Sequence, residues 1–180
     1  DLRWRQTHLT GALVAVRKPT IAALPGAAAG AGLAIALACD IRIAAKSAFC
    51  TTGYAKIGLS GDYGISWLLT RTVGPMRARE LMFTSEKVGA ERCEQIGLVN
   101  RVVDDAKLQD EAFAFARSLA EGPRIALRHM KDNLDEALHI NYSDAHYREA
   151  ERLVQSSRTA DHKEAVASFV EKRKPVFKGR

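Results

Sequence analysis

The sequence lacks most of what would mark a metal, redox or secreted scaffold. Its 180 residues hold three cysteines, Cys39, Cys50 and Cys93. They form no Cys-x-x-Cys pair, and their odd number argues against a disulfide framework. Two lie in apolar surroundings, where a thiol acts as a small hydrophobe, so a reducing, cytoplasmic setting is the simplest expectation. The opening DLRWRQTH is charged and has no apolar core of the kind a signal peptide carries. GxxxxGK[ST] is absent, and the glycine run reads G-x-x-x-G-x-G rather than GxGxxG, so nucleotide binding of either kind is weakly supported. There is no zinc-finger spacing and no Arg-Gly or aromatic-interleaved repeat, which argues against a DNA-binding module despite a formal net charge of +6. The five histidines share no spacing with another ligand type, and none is assigned to metal or catalysis.

What remains is a globular α/β pattern. Apolar residues make up 47% and charged residues 27%, as in a folded domain. Leu2, Leu9, Leu13 and Val16 suggest an amphipathic helix that Lys18-Pro19 ends. TIAAL reads as a short buried strand, LAIALAC as a buried helix, and DIRIAAKSAFCTT as one or two strands. The loop TGYAKIGLSGDYG leads into the helix ISWLLTRTV, which Gly74-Pro75 ends before a second helix, MRARELMFT. ERCEQIGLVNRVV is helix, glycine stop and strand. From Asp104 the pattern is helical, with breaks at Gly122-Pro123, Asn141 and Thr159. Four or five strands are found, and the chain begins on a helix, as it would if an N-terminal portion preceded it. The reading is strands and helices alternating first, then a helical layer. The expected division is a core over 1–122 and a helical region over 123–180.

The run PGAAAGAGLAIALACD (residues 25–40) is the most informative stretch. No charge falls between Thr20 and Cys39, about the length of a membrane span. Alanine and glycine carry little transfer energy, however, Pro25-Gly26 interrupts the run, and Asp40 and Arg42 follow it. Two other readings coexist: small residues that let a helix pack closely, and a strand-to-helix turn with free N–H groups that can hold an anion or a developing negative charge.

KPTIAALPGAAAGAGLAIALACDIRIAA followed by F-x8-GLSGDYGxSWLLTRTVG resembles the crotonase family of enoyl-CoA hydratases and isomerases. The resemblance continues through RARELMFTSEKVGAERCEQIGLVNRVV to AVASFVEKRKPVFKGR and covers essentially the whole chain. It implies a spiral of ββα turns with a C-terminal helical part, assembled as homotrimers or homohexamers through that helical part, and acyl-CoA thioester substrates. It implies no metal or redox cofactor, coenzyme A being part of the substrate. In the family, two backbone N–H groups hold the thioester oxygen. The second maps to Ala31, flanked by Gly30 and Gly32, while the first comes from an earlier loop that would lie before Asp1.

Family hydratases carry two glutamates. Their positions correspond to Ala34 and to the neighbourhood of Gly53 and Tyr54, where no carboxylate occurs. Asp62 matches an aspartate of isomerase-like relatives, and one carboxylate suffices for a 1,3 proton shift. From the residues alone, Asp62 reads as an N-cap for ISWLL, and it is the resemblance that favours catalysis. Tyr54 and Tyr63 are read as pocket or core aromatics, Trp67 as packing, and Asp40 as structural. Phe169 and Lys172 match CoA-contacting positions, and a lysine suits anionic phosphates. The expectation is therefore an acyl-CoA isomerase using Asp62 and the Ala31 N–H. The alternatives are a two-carboxylate hydratase, or a catalytically silent assembly or RNA-binding subunit.

Overall fold

The computed structural model describes residues 1–180. They form two compact units, one of residues 1–16 with 20–114, the other of residues 17–19 with 115–180. The first unit opens on helix α1 (Leu2–Gln6), a π-helical turn (Thr7–Gly11) and α2 (Ala12–Val14). Strands β1 (Ile21–Leu24) and β2 (Ala27–Ala29) follow, then α3 (Ala31–Leu37), β3 (Ile41–Ala45) and β4 (Phe49–Thr51). Next come α4 (Ile65–Thr84), β5 (Val88–Gly89), α5 (Ala90–Gln95) and β6 (Arg101–Val103), and then α6 (Leu108–Ala120). The second unit is built on α7 (Arg124–Ala137), α8 (Tyr142–Ser157) and α9 (Ala160–Val170). No helix is long and apolar enough to cross a membrane.

Six strands are present where the sequence pattern suggests four or five. One three-stranded sheet has the order β1-β3-β6, all parallel, with Ile21 opposite Ile41 and Ile43 opposite Arg101. The other has the order β2-β4-β5, parallel between β2 and β4 and antiparallel between β4 and β5. The strands that the pattern misses are β2, which is wholly alanine, and β5, which is two residues long. Alanine has poor strand propensity, so β2 owes its conformation to its ladder with Phe49–Thr51 rather than to its own side chains.

Helix α3 supplies the crossover that parallel β1 and β3 require. It buries Leu33 and Leu37 against a core that includes Ile43, Ile65, Leu69 and Leu98. The break expected at Gly74-Pro75 is a kink within α4, with Gly74 at φ 79° and ψ 163°. Trp67, expected to pack, is instead exposed on α4, and the Arg71 guanidinium lies 3.8 Å over its ring. Asp40 has the structural role expected of it. Its carboxylate accepts from Thr20 N–H (2.7 Å) and Thr20 Oγ1 (2.8 Å), joining the approaches to β1 and β3.

Arg42 is the charged residue of this core. Its Nε donates to the Leu98 carbonyl at 2.8 Å and a terminal nitrogen donates to the Cys39 carbonyl at 2.7 Å. Burial pulls the guanidinium pKa down, but carbonyls just beyond α3 and before β6 replace its lost hydration.

In the second unit, Arg152 on α8 makes a bidentate pair with Glu136 on α7, at 2.6 and 2.9 Å. The basic C-terminal tail is not a free solvated end. Buried Asp161 accepts from the N–H groups of Lys178 (2.7 Å) and Gly179 (2.9 Å), and Glu164 accepts from Val176 N–H and from Arg173. The hydrogen bond from Arg152 holds Glu136 down to about 2, and that from Arg173 holds Glu164 down to about 2, each from an ordinary 4.5. A carboxylate depressed on folding contributes stability that is full above its unfolded value and disappears as pH falls through its folded value. Thermal stability should therefore decline as pH falls from 4.5 toward 2. In Glu136→Gln that acid decline should be shallower, as melting curves across the window would register.

Candidate active site

The glycine-alanine run becomes β2, a one-residue turn and α3. Gly30, at φ 51° and ψ −120°, makes the turn, a backbone region that an L side chain enters only with strain. The turn is pinned on both sides. Gly30 N–H donates to the Thr51 carbonyl at 3.1 Å, and the Gly30 carbonyl accepts from Ala34 N–H at 3.0 Å. The N–H groups of Ala31, Gly32 and Leu33 thus precede the helical ladder and have no partner within α3. A Cβ added at Gly32 would meet nothing within 4 Å, whereas one at Gly30 would lie 3.7 Å from the Tyr54 hydroxyl oxygen. Ala34 is fully buried on the core side of the helix.

Asp62 does not cap the following helix. The N-cap of α4 is Gly64, with no side-chain hydrogen bond, and only the Asp62 carbonyl serves the turn, accepting from Ile65 N–H at 3.0 Å. The Asp62 carboxylate instead accepts a hydrogen bond from the Tyr54 hydroxyl on Oδ1. Burial, with the hydrogen bond to Asp62 second, pushes the Tyr54 phenol well above its usual range. Tyr54 therefore keeps its proton and donates. Tyr54 is 5% exposed, so one buried ring occupies the space a Gly30 side chain would face and holds the carboxylate. Tyr63, next to Asp62, sits at φ 48°, and the loop turns sharply there.

Sequence reasoning overlooks what holds Tyr54 in place. Ser85, fully buried at the end of α4 with φ 46°, is the centre of a polar cluster. Its hydroxyl accepts from Ala55 N–H at 3.1 Å and shares a hydrogen bond with Thr52 Oγ1 at 3.0 Å, while its carbonyl accepts from Thr51 Oγ1 at 3.0 Å. Thr52 Oγ1 also reaches the Leu81 carbonyl at 2.8 Å. Two adjacent threonines after an apolar strand are the available signal, but their common partner lies more than thirty residues away in sequence. Ser85→Ala removes the acceptor of the Ala55 N–H and a buried partner of the Thr52 hydroxyl, and should cost about 1–3 kcal/mol in denaturant unfolding.

Of the residues singled out in the sequence, Gly30, Ala31, Gly32, Tyr54 and Asp62 all lie in the first unit. Within it, Tyr54 joins the glycine turn to Asp62. Phe169 and Lys172 belong to the second unit, where both are exposed at the end of α9 and Lys172 adopts φ 53°. No group of histidine, cysteine, aspartate or glutamate side chains is arranged to hold a metal ion.

Paired short strands, a glycine turn, a crossover helix and a C-terminal helical unit define a crotonase-type α/β chain. An enoyl-CoA hydratase from Polaromonas sp. JS666 superposes with a TM-score of 0.92 at 34% identity, over 96% of this chain and 67% of that one. The family model described as enoyl-CoA hydratase/isomerase matches residues 2–180, and the chain belongs to that family. It is 39% identical over 171 residues to 1,2-epoxyphenylacetyl-CoA isomerase of Escherichia coli K12, covering 93% of this chain and 64% of that protein. It is 37% identical over 179 residues to a probable enoyl-CoA hydratase of Rhodobacter capsulatus, covering 99% of this chain and 70% of that protein. The chain thus spans about two thirds of the length of these relatives.

Proposed function

We propose that the complete protein shifts the double bond of an enoyl-CoA thioester, with Asp62 as the single proton carrier and the Ala31 N–H as an oxyanion donor. The observation that carries this reading is that the Asp62 side chain is not used as a helix cap but is held by Tyr54 beside the Gly30 turn. Removing a proton from the carbon next to a thioester places negative charge on the carbonyl oxygen, and a fixed N–H stabilises that charge without reorganising. Asp62 takes the proton from C2 and returns it at C4, so the double bond moves from C3–C4 to C2–C3 and the carboxylate ends as it began.

Hydration by two carboxylates is less well supported. The first 79 residues contain three acids, Asp1, Asp40 and Asp62. Asp1 caps α1 and Asp40 is bound to Thr20, while the position matching a hydratase glutamate is the fully buried Ala34. Phe169 and Lys172 are proposed to contact coenzyme A, as the family resemblance implies. A homotrimeric or homohexameric assembly is proposed as well, in keeping with the exposed apolar residues Met130 and Leu134 on α7 and Leu138 at its C-cap.

The test is product identity. Incubated with 3-enoyl-CoA, the complete protein should yield 2-enoyl-CoA. Incubated with 2-enoyl-CoA, it should form 3-hydroxyacyl-CoA slowly or not at all. Rapid hydration without isomerisation would sink the reading.

A further inference from the structure

We propose that Tyr54 is a positioning residue that fixes which oxygen of Asp62 carries the proton. The inference rests on the assignment of Asp62 as the proton carrier and adds a role for a side chain that the reaction itself does not require. The Tyr54 hydroxyl donates to Oδ1 of Asp62, which engages that oxygen and leaves Oδ2 to accept and return a proton. The same ring lies against the Gly30 turn, with its hydroxyl oxygen 3.7 Å and its Cζ 3.8 Å from where a Gly30 Cβ would stand. Tyr54 therefore spans the two halves of the site: it sets the carboxylate relative to the turn that presents the Ala31 N–H.

The backbone that carries the phenol is itself held. Ala55 N–H is fixed by the buried Ser85 hydroxyl at 3.1 Å, and the Tyr54 carbonyl accepts from the N–H groups of Ile57 (3.1 Å) and Leu59 (3.0 Å). A carboxylate on the loop between Gly61 and Gly64, both at positive φ, would otherwise sample several rotamers. A carrier that must reach two carbons in turn loses rate when its reach is not set in advance.

Tyr54→Phe keeps the ring and removes the donor. Turnover of 3-enoyl-CoA should fall about 10- to 100-fold with KM little changed, because binding of the thioester does not pass through this hydrogen bond. A double-mutant cycle separates this role from a general structural one. In an Asp62→Asn background, Tyr54→Phe should cost nothing further in residual turnover, since the phenol acts only through the carboxylate. Melting temperatures of all variants report whether the fold is kept. If Asp62→Asn alone leaves turnover intact, the assignment of Asp62 fails. If Asp62→Asn is inactive while Tyr54→Phe turns over normally, or lowers the residual rate by the same factor in both backgrounds, Asp62 stands and the positioning role is overturned.

Discussion

Asp62→Asn should lower the isomerisation rate of the complete protein by about 10²–10⁴-fold, the range for loss of a positioned acid–base group. The substitution is nearly isosteric. The amide oxygen can still accept from Tyr54, so the local hydrogen bond to the phenol survives while the proton-carrying capacity is lost. Because Asp62 does not cap α4, little stability should be lost with it, and an unchanged melting curve alongside the lost rate is the expected signature. Had Asp62 been the cap, the same substitution would be tolerated, since asparagine caps as well as aspartate. The two roles therefore predict opposite results for activity, and steady-state rates on 3-enoyl-CoA decide between them.

The second large effect is expected at Gly30. Alanine there must adopt φ 51° and ψ −120°, at a cost of about 1–3 kcal/mol, or the turn must relax and move the Ala31 N–H. Relaxation removes an oxyanion donor, and losses of that kind run to about 10²–10³ in kcat. Two neighbouring glycines act as controls. Gly26 has room for a Cβ, with nothing within 4 Å and no positive φ, so Gly26→Ala should be close to neutral in both stability and rate. Gly32 also has room within the chain, and alanine favours the helix it occupies. Gly32→Ala should therefore hold or raise stability while raising KM, if that open space is where the thioester approaches. A rate loss confined to Gly30 and an affinity loss confined to Gly32 would separate donor geometry from ligand clearance.

Much of this arrangement is legible in the residues themselves. The uncharged run ending at Asp40 is a strand-to-helix turn, Gly74-Pro75 breaks its helix, and IGLVNRVV ends a helix and starts a strand. These features are local: glycine conformation, proline's missing donor and short-range periodicity decide them. The parts that are not legible depend on distant partners. β2 is three alanines whose strand conformation comes from Phe49–Thr51, and β5 exists only because Val88 and Gly89 meet β4. Ser85 looks like an ordinary turn residue in sequence, yet it organises Thr51, Thr52 and Ala55. Asp62 shows the same limit, since its sequence context fits a helix cap, whereas Gly64 takes the N-cap position of α4 and the carboxylate is held by Tyr54. Trp67 differs for a local reason: a tryptophan on an apolar helix suggests burial, whereas Arg71 one turn along covers its face.

The most direct measurement follows one hydrogen through the reaction. 3-Enoyl-CoA deuterated at C2 is converted by the complete protein in ordinary water, and the product is examined by mass spectrometry and NMR. A single carboxylate that takes the proton and returns it predicts deuterium at C4 of a fraction of the product molecules, with no solvent oxygen at C3, and loss of this transfer in Asp62→Asn. Product that carries solvent oxygen at C3 and never deuterium at C4 would contradict the account.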